Sequence, residues 1–253
     1  MIKMKKISVL FWSAVLCCPM IFGVKPVYAA GTVAEKMDEK TQNIINENDA
    51  YIADNLDVLL ERALQNHINT TDCMKASSLD VLNVTDLDED YSAVSCVIQD
   101  TELQRSDKDD SVLCALTTAS AVMPRASSGN KSENTTDSTV SVKAYSTIYY
   151  NKKVSNNITF YCLTKVTGKY EILDSSIQVK SQNVKYAMTG HSETSYLVDK
   201  HGEFNPSGSS WSKSTGFTEY CDLSTYGVFG STYTLKIGRA SGNQWTFSLQ
   251  NRL

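Results

Sequence analysis

A period of two runs from Val142 to Leu249 and constrains the chain more than any other feature. Val142, Ala144, Ser146, Ile148 and Tyr150 share one face, with Lys143, Tyr145, Thr147 and Tyr149 on the other. Ile158, Phe160, Cys162 and Val166 repeat the pattern after a turn expected over Asn151–Asn157. Ile177/Val179, Val184/Tyr186/Met188 and Tyr196–Val198 follow. The last pair is the most regular: Tyr233/Leu235/Ile237, a turn over Gly238–Asn243, then Trp245/Phe247/Leu249. Successive strand side chains point to opposite faces, so such alternation buries one face and leaves the other wet. About seven short strands spaced roughly ten residues apart predict an all-β domain over 140–253. An immunoglobulin-like β-sandwich is expected first and a barrel second.

The period changes upstream. Val33, Met37, Ile44, Ile45, Ile52, Leu56, Leu59, Leu60 and Ala63 recur near 3.6 residues, which predicts an amphipathic helix over 32–67. Its opening is acidic (Glu35, Asp38, Glu39), as suits the positive end of a helix dipole. Val94/Cys96/Ile98 and Val112/Cys114/Leu116 alternate around the polar stretch Gln104–Asp110, which predicts a hairpin. Residues 123–138 are rich in Ser, Asn, Gly and Thr and carry no apolar period. The class expected is α+β: a helix-plus-hairpin module over 31–122, a linker over 123–139 and the β domain over 140–253.

The first residues follow the pattern of a secretory signal. Met1–Lys6 is basic, Ile7–Val24 is apolar, and Lys25-Pro-Val-Tyr-Ala-Ala30 supplies small residues at a cleavage site. Cleavage is expected after Ala29 or Ala30, giving an extracellular chain with no membrane segment. Neither Cys17 nor Cys18 has a small residue before it, which argues against lipidation.

The formal charge of −4 conceals a split. Residues 31–124 hold 19 acidic and 6 basic side chains (−13), while 140–253 hold 7 and 12 (+5). The two parts are expected either to attract each other or to leave the β domain for an anionic partner such as a wall polymer. Spread-out basic residues in an acidic protein argue against nucleic acid. Beyond the signal lie Cys73, Cys96, Cys114, Cys162 and Cys221, at spacings that fit no zinc knuckle. A Cys162–Cys221 bridge is one expectation and buried free thiols the other.

Several constellations invite a chemical reading. Asp86-Leu-Asp-Glu-Asp90 begins like a calcium loop, but Tyr91 and Val97 stand where an EF-hand needs Gly and Glu. His191, Asp199, His201 and Glu203 lie close in sequence, with Glu219 and Cys221 further on; a Cys–His pair would join Cys221 to His191 or His201. No Gly-x-Ser-x-Gly, His-Glu-x-x-His or phosphate loop is present. Tyr145, Tyr149, Tyr150, Tyr161, Trp211 and Trp245 could line a carbohydrate platform, although strand aromatics more often fill half-buried faces.

Val142–Tyr150, Leu163–Tyr170, Ser181–Tyr186 and Gly230–Ile237 together resemble a group of small secreted proteins of Gram-positive, often gut-dwelling, bacteria. That resemblance implies export and a β-rich domain and supplies no activity. No catalytic, cofactor or metal residue is assigned. The leading expectation is a secreted non-enzymatic protein whose β domain binds a cell-wall, carbohydrate or protein partner. One alternative is a precursor with 31–124 as an acidic pro-segment cut near Arg125; another is a hydrolase using His191, His201 and Cys221.

Overall fold

Asp38 starts the helix. Its carboxylate accepts the Thr41 backbone N–H at 2.9 Å and the Thr41 hydroxyl at 2.8 Å, the arrangement of an N-cap and its N3 partner. The Thr41 amide foremost holds the Asp38 carboxyl below its ordinary value. From there α1 (Glu39–Ile68) runs for 30 residues. Among the described residues its buried apolar side chains are Ile45, Ile52, Leu56, Leu59 and Leu60, spaced as one helical face requires. The computed structural model describes residues 37–68, 79–88, 91–124, 140–223, 227–239, 242 and 244–253. The expected signal and most of the expected linker therefore lie outside the described residues, as does Cys73.

Ten strands follow, in two antiparallel sheets with no barrel closure among the described residues. Sheet A takes β1 (Leu79–Asp88), β2 (Tyr91–Arg105), β3 (Val112–Pro124), β4 (Val142–Ser155), β5 (Ile158–Ile172) and β8 (Ser210–Ser214), in that spatial order. Sheet B has the order β10-β9-β6-β7, from β6 (Ile177–His191), β7 (Leu197–Phe204), β9 (Phe229–Arg239) and β10 (Gln244–Arg252). Five consecutive strands lie side by side in sheet A, an order unlike that of the immunoglobulin fold.

One core is shared by the two sheets. Val112, Cys114, Leu116, Ile148, Tyr150, Leu163 and Val166 of sheet A meet Val184, Met188, Tyr233, Leu235, Ile237, Phe247 and Leu249 of sheet B. The other face of sheet A is covered by α1. Ile45 packs on Leu113, Ala115 and Tyr149, while Ile52, Leu56, Leu59 and Leu60 pack on Ala119, Ala121 and Tyr145. Alanines on β3 let the helix approach closely. Burying five large aliphatic side chains at about 2 kcal/mol each stabilises the docked helix on the order of 10 kcal/mol before entropy.

These layers correct the expected domain division. β3 pairs with β4 from Val112↔Lys152 to Val122↔Val142, so one sheet runs through the supposed boundary. β3 ends at Pro124 and β4 begins at Val142, and the two are neighbours in that sheet. Ala34–Leu253 is a single compact unit. The precursor reading meets the same obstacle. Cutting near Arg125 would remove β3, an interior strand whose Val112, Cys114, Leu116 and Val122 fill the shared core. The charge split is realised inside the molecule instead, where Asp57 pairs with Lys143 and Glu102 with Lys152 at 2.7 Å.

Strand boundaries also shift. β4 continues to Ser155, and the turn expected over Asn151–Asn157 shrinks to Asn156-Asn157, both at positive φ (50° and 61°). That is the left-handed pair a two-residue hairpin needs and asparagine tolerates. Ile177/Val179 and Val184/Tyr186/Met188 belong to one strand, β6, with Lys180 as the extra residue of a bulge. The bulge moves the inward positions from odd to even numbers. Thr164 does the same in β5, so Cys162 and Val166, expected on one face, point to opposite faces. The hairpin around Gln104–Asp110 is present as β2–β3. Asp88 pairs directly with Tyr91, which leaves only two residues where a calcium loop was considered.

Candidate functional site

A cleft opens on the outer face of sheet A, beside the start of α1. It encloses about 680 Å³. Its floor is one row of the sheet: Gln104 pairs with Leu113, Leu113 with Asn151, and Asn151 with Cys162. The β2–β3 turn forms one wall. There Asp109 accepts the Ser111 hydroxyl at 2.8 Å and the Ser111 N–H at 3.3 Å, and Asp110 takes φ 55°. Hydroxyl bonds from Ser106 and Ser111 hold the Asp109 carboxyl below its ordinary value.

The opposite wall is the segment after β8. The Thr215 N–H donates to the Thr164 carbonyl at 3.0 Å, and the Cys162 thiol donates to the Phe217 carbonyl at 3.4 Å. Tyr220 closes the end, with Lys153 Nζ 4.4 Å from its ring centre. Its hydroxyl bonds to Ser111 and Asn151, yet burial dominates and raises its pKa. Asp38, Asp107 and Asp109 balance Lys40, Arg105 and Lys108 around the rim, three charges of each sign. Gln104, Ser111, Asn151, Thr164 and Thr218 bring amide and hydroxyl groups to the lining, and Tyr220 an aromatic ring, while the Phe217 ring packs on Tyr186 toward the core.

Deeper under α1 lies a buried polar pin. Asp49 accepts the Tyr149 hydroxyl at 2.6 Å and the Thr167 hydroxyl at 2.9 Å. The Asn48 amide donates to Tyr149 Oη at 2.9 Å, and Lys165 Nζ donates to Gln42 Oε1 at 3.0 Å. Burial raises the Asp49 carboxyl and lowers Lys165, while Tyr149 is pushed far up, first by burial and then by Asp49. These groups hold helix to sheet; they do not open on the cleft.

The residues suspected of hydrolase chemistry do not converge. His191 ends β6, and its N–H donates to Asp222 Oδ1 at 2.8 Å. Leu197 is its cross-strand partner, which places His201, four residues further along β7, roughly 13 Å away. Asp199 accepts from Thr189 at 3.3 Å, Glu203 from Asn183 at 2.7 Å, and Glu219 pairs with Lys200 at 3.1 Å. Cys221 lies in the shared core, where burial, then Asp222, pushes its thiol up to about 11. A nucleophilic thiol needs the opposite shift.

Cys162 is likewise pushed up to about 12, chiefly by burial. The expected bridge between them is absent: Cys162 and Cys221 are buried free thiols. Register supplies the reason. Cys221 pairs with Tyr161, so its side chain faces the core with Tyr161, while Cys162 faces the cleft. The aromatic platform is corrected too. Tyr145, Tyr149, Tyr150, Trp211 and Trp245 are buried, and Tyr161 packs against the core. Among the described residues no group of three His, Cys, Asp or Glu could hold a metal, and no helix is long and apolar enough to cross a membrane.

Sequence reasoning missed the cleft because its parts come from four separate segments. Asn151 was assigned to a turn, and the chain after β8 has no alternation to betray it. No protein-family model matches the chain, and no curated protein matches it.

Proposed function

We propose that the chain is exported, loses residues 1–29 or 1–30, and acts outside the cytoplasm as a non-enzymatic carbohydrate-binding protein. Its ligand occupies the cleft on the outer face of sheet A. The observation that carries this reading is the floor row Gln104–Leu113–Asn151–Cys162, whose amides lie inside a charge-balanced rim with Tyr220 at its end. Neutral hydroxyl-rich ligands need such paired donors and acceptors, with an apolar face to lie on. Export is supported by the basic start, apolar run and Ala29-Ala30 exit, and by the likeness to exported proteins of Gram-positive bacteria. For the fold, we read the two sheets as a β-sandwich related to the immunoglobulin class in layering and distinct from it in strand order.

An anionic wall polymer is the weaker partner. Lys143 and Lys152 are engaged by Asp57 and Glu102 of the acidic part, which lowers the excess of 140–253 from +5 to +3.

Titration calorimetry of the mature chain against neutral cell-wall oligosaccharides tests the cleft. Binding weakened at least tenfold by Gln104→Ala or Asn151→Ala, about 1.4 kcal/mol, supports it. Binding unchanged by both, or no binding to any of these sugars, rejects it. Mass spectrometry of the exported form tests processing: a chain that still begins at Met1 rejects signal removal.

A further inference from the structure

The outer face of sheet B carries a second concavity, remote from the cleft. Sheet register builds it. Arg252 pairs with Gly230, Gly230 with Ala187, and Ala187 with His201, so these four form one row across β10, β9, β6 and β7. Three interstrand steps separate Arg252 from His201, about 14 Å. Lys185 stands two residues up β6, about 7 Å from Ala187. The middle of the row has almost no side chain, and a dimple of about 290 Å³ results.

The missing side chain is a structural requirement. Gly230 has φ +144°, and a Cβ there would lie 1.8 Å from the Asn251 carbonyl oxygen. A glycine at such a point allows a ligand to approach the sheet closely. Val228 borders the floor and is 49% exposed, an apolar side chain with no burial to explain it. Around this apolar floor stand Lys185, His201 and Arg252, all exposed. Among the described residues no carboxylate lies within 4 Å of Arg252 or His201. Glu203 is the one acid at the rim. It accepts from Asn183 at 2.7 Å and lies 3.9 Å from Lys185 Nζ. Lys185 and Arg252 against Glu203 leave +2 − 1 = +1, with the His201 imidazole as a further donor.

We propose that this dimple binds an amphipathic monoanion, an organic carboxylate or sulfate with an apolar body. The apolar body lies on Val228, Ala187 and the Gly230 backbone. The charged head meets Arg252, Lys185 and His201. A bare inorganic anion would leave the floor unused, and a neutral amphiphile would leave the cations unpaired.

Titrating the folded mature chain with decanoate, below its micelle concentration, tests this by calorimetry and by amide shifts. Decanoate is expected to perturb Ala187, Thr232 and Arg252. The paired substitutions Lys185→Gln and Arg252→Gln should weaken binding at least tenfold without changing Tm. Ala187→Phe should block it by filling the floor, and Asn151→Ala in the cleft should leave it unchanged. Octanol and inorganic phosphate, as neutral and headgroup-only probes, should bind at least tenfold more weakly. No binding of decanoate, binding indifferent to the Lys185 and Arg252 changes, or equal binding of either control overturns the proposal.

Discussion

Replacing Tyr149 by Phe removes one hydroxyl and keeps the ring that packs under Ile45. That hydroxyl donates to Asp49 at 2.6 Å and accepts from Asn48 at 2.9 Å. Asn48 is half-buried and regains a partner from water; Asp49 is left with Thr167 and the nearby charge of Lys165. A hydrogen bond to a charged group contributes about 1.5–3 kcal/mol, so a loss of about 2 kcal/mol is expected at pH 7. In urea, with a slope of about 2 kcal/mol/M, the midpoint falls by about 1 M. The loss should depend on pH. Burial raises the Asp49 pKa above 3.8, so the folded chain holds this proton more tightly than the unfolded one. Asp49 therefore favours folding at pH below 3.8, and that contribution is lost as pH rises through its folded value. The Tyr149 bond opposes the rise by stabilising the carboxylate. Below the folded value the carboxyl is neutral and the bond is an ordinary one, worth about 1 kcal/mol. Paired urea curves for wild type and Tyr149→Phe at pH 7 and at acid pH, each under reducing conditions, measure the difference. A destabilisation equal at both pH values would refute a carboxylate held by Tyr149. Asp38, Glu102 and Asp109 pull the other way: their lowered values favour folding above the ordinary carboxylate range and lose it on acidification. They are exposed and cancel in the comparison of the two proteins.

Gly168→Ala would place Cβ 2.3 Å from Trp211 Cζ2 and 2.8 Å from the Tyr145 carbonyl oxygen. Trp211 is wedged against Phe204 and Tyr233, so about 2–3 kcal/mol should be lost, with a shift in tryptophan emission. Asn251 is fully buried and joins the sheets, donating to the Ser146 carbonyl at 2.8 Å and accepting the Thr118 hydroxyl. Asn251→Ala should cost about 3 kcal/mol by orphaning both partners, read as a fall in Tm. Thiols pushed up to about 12 at Cys162 and about 11 at Cys221 should resist an aromatic disulfide reagent at pH 8 until urea unfolds the chain. Oxidation of the native protein should give no Cys162–Cys221 crosslink in a peptide map.

What was legible in the sequence divides along a physical line. Alternation marks a strand wherever one face is wet, and β9–β10 is such a case: Trp245 pairs with Ile237 and Phe247 with Leu235, as their spacing implied. Alternation fades where both faces are covered. β3 is buried continuously from Val112 to Val122 because α1 lies on one side and sheet B on the other. Its neighbour β4 shares that burial, so nothing local announced that the two strands pair across an intervening polar stretch. Composition suggests a domain boundary between two strands that are neighbours in one sheet. β8 escaped notice for a related reason, since five residues with one large apolar side chain, Trp211, carry too little pattern.

Bulges account for the remaining misreadings, and they also bear on function. A period-two reading assumes every residue keeps its parity. One extra residue at Thr164 and another at Lys180 reverse it midway through β5 and β6. In β5 the reversal puts Lys165 and Thr167 on the helix side, where they meet Gln42 and Asp49. Cys162 lies before the bulge and stays on the cleft side of the same face. Without the bulge, Val166 would share that face with Cys162 and take the position of a polar anchor, and the pin beneath α1 would lose two partners. Deleting Thr164 tests this. It removes the extra residue itself, so Lys165 then follows Leu163 in plain alternation, and Cys162, Lys165 and Thr167 keep the helix side while Leu163 and Val166 keep the core. A cooperative urea transition with native helix content is the expected result; loss of cooperative folding in that deletion would mean that Thr164 does more than set which face of β5 the helix sees.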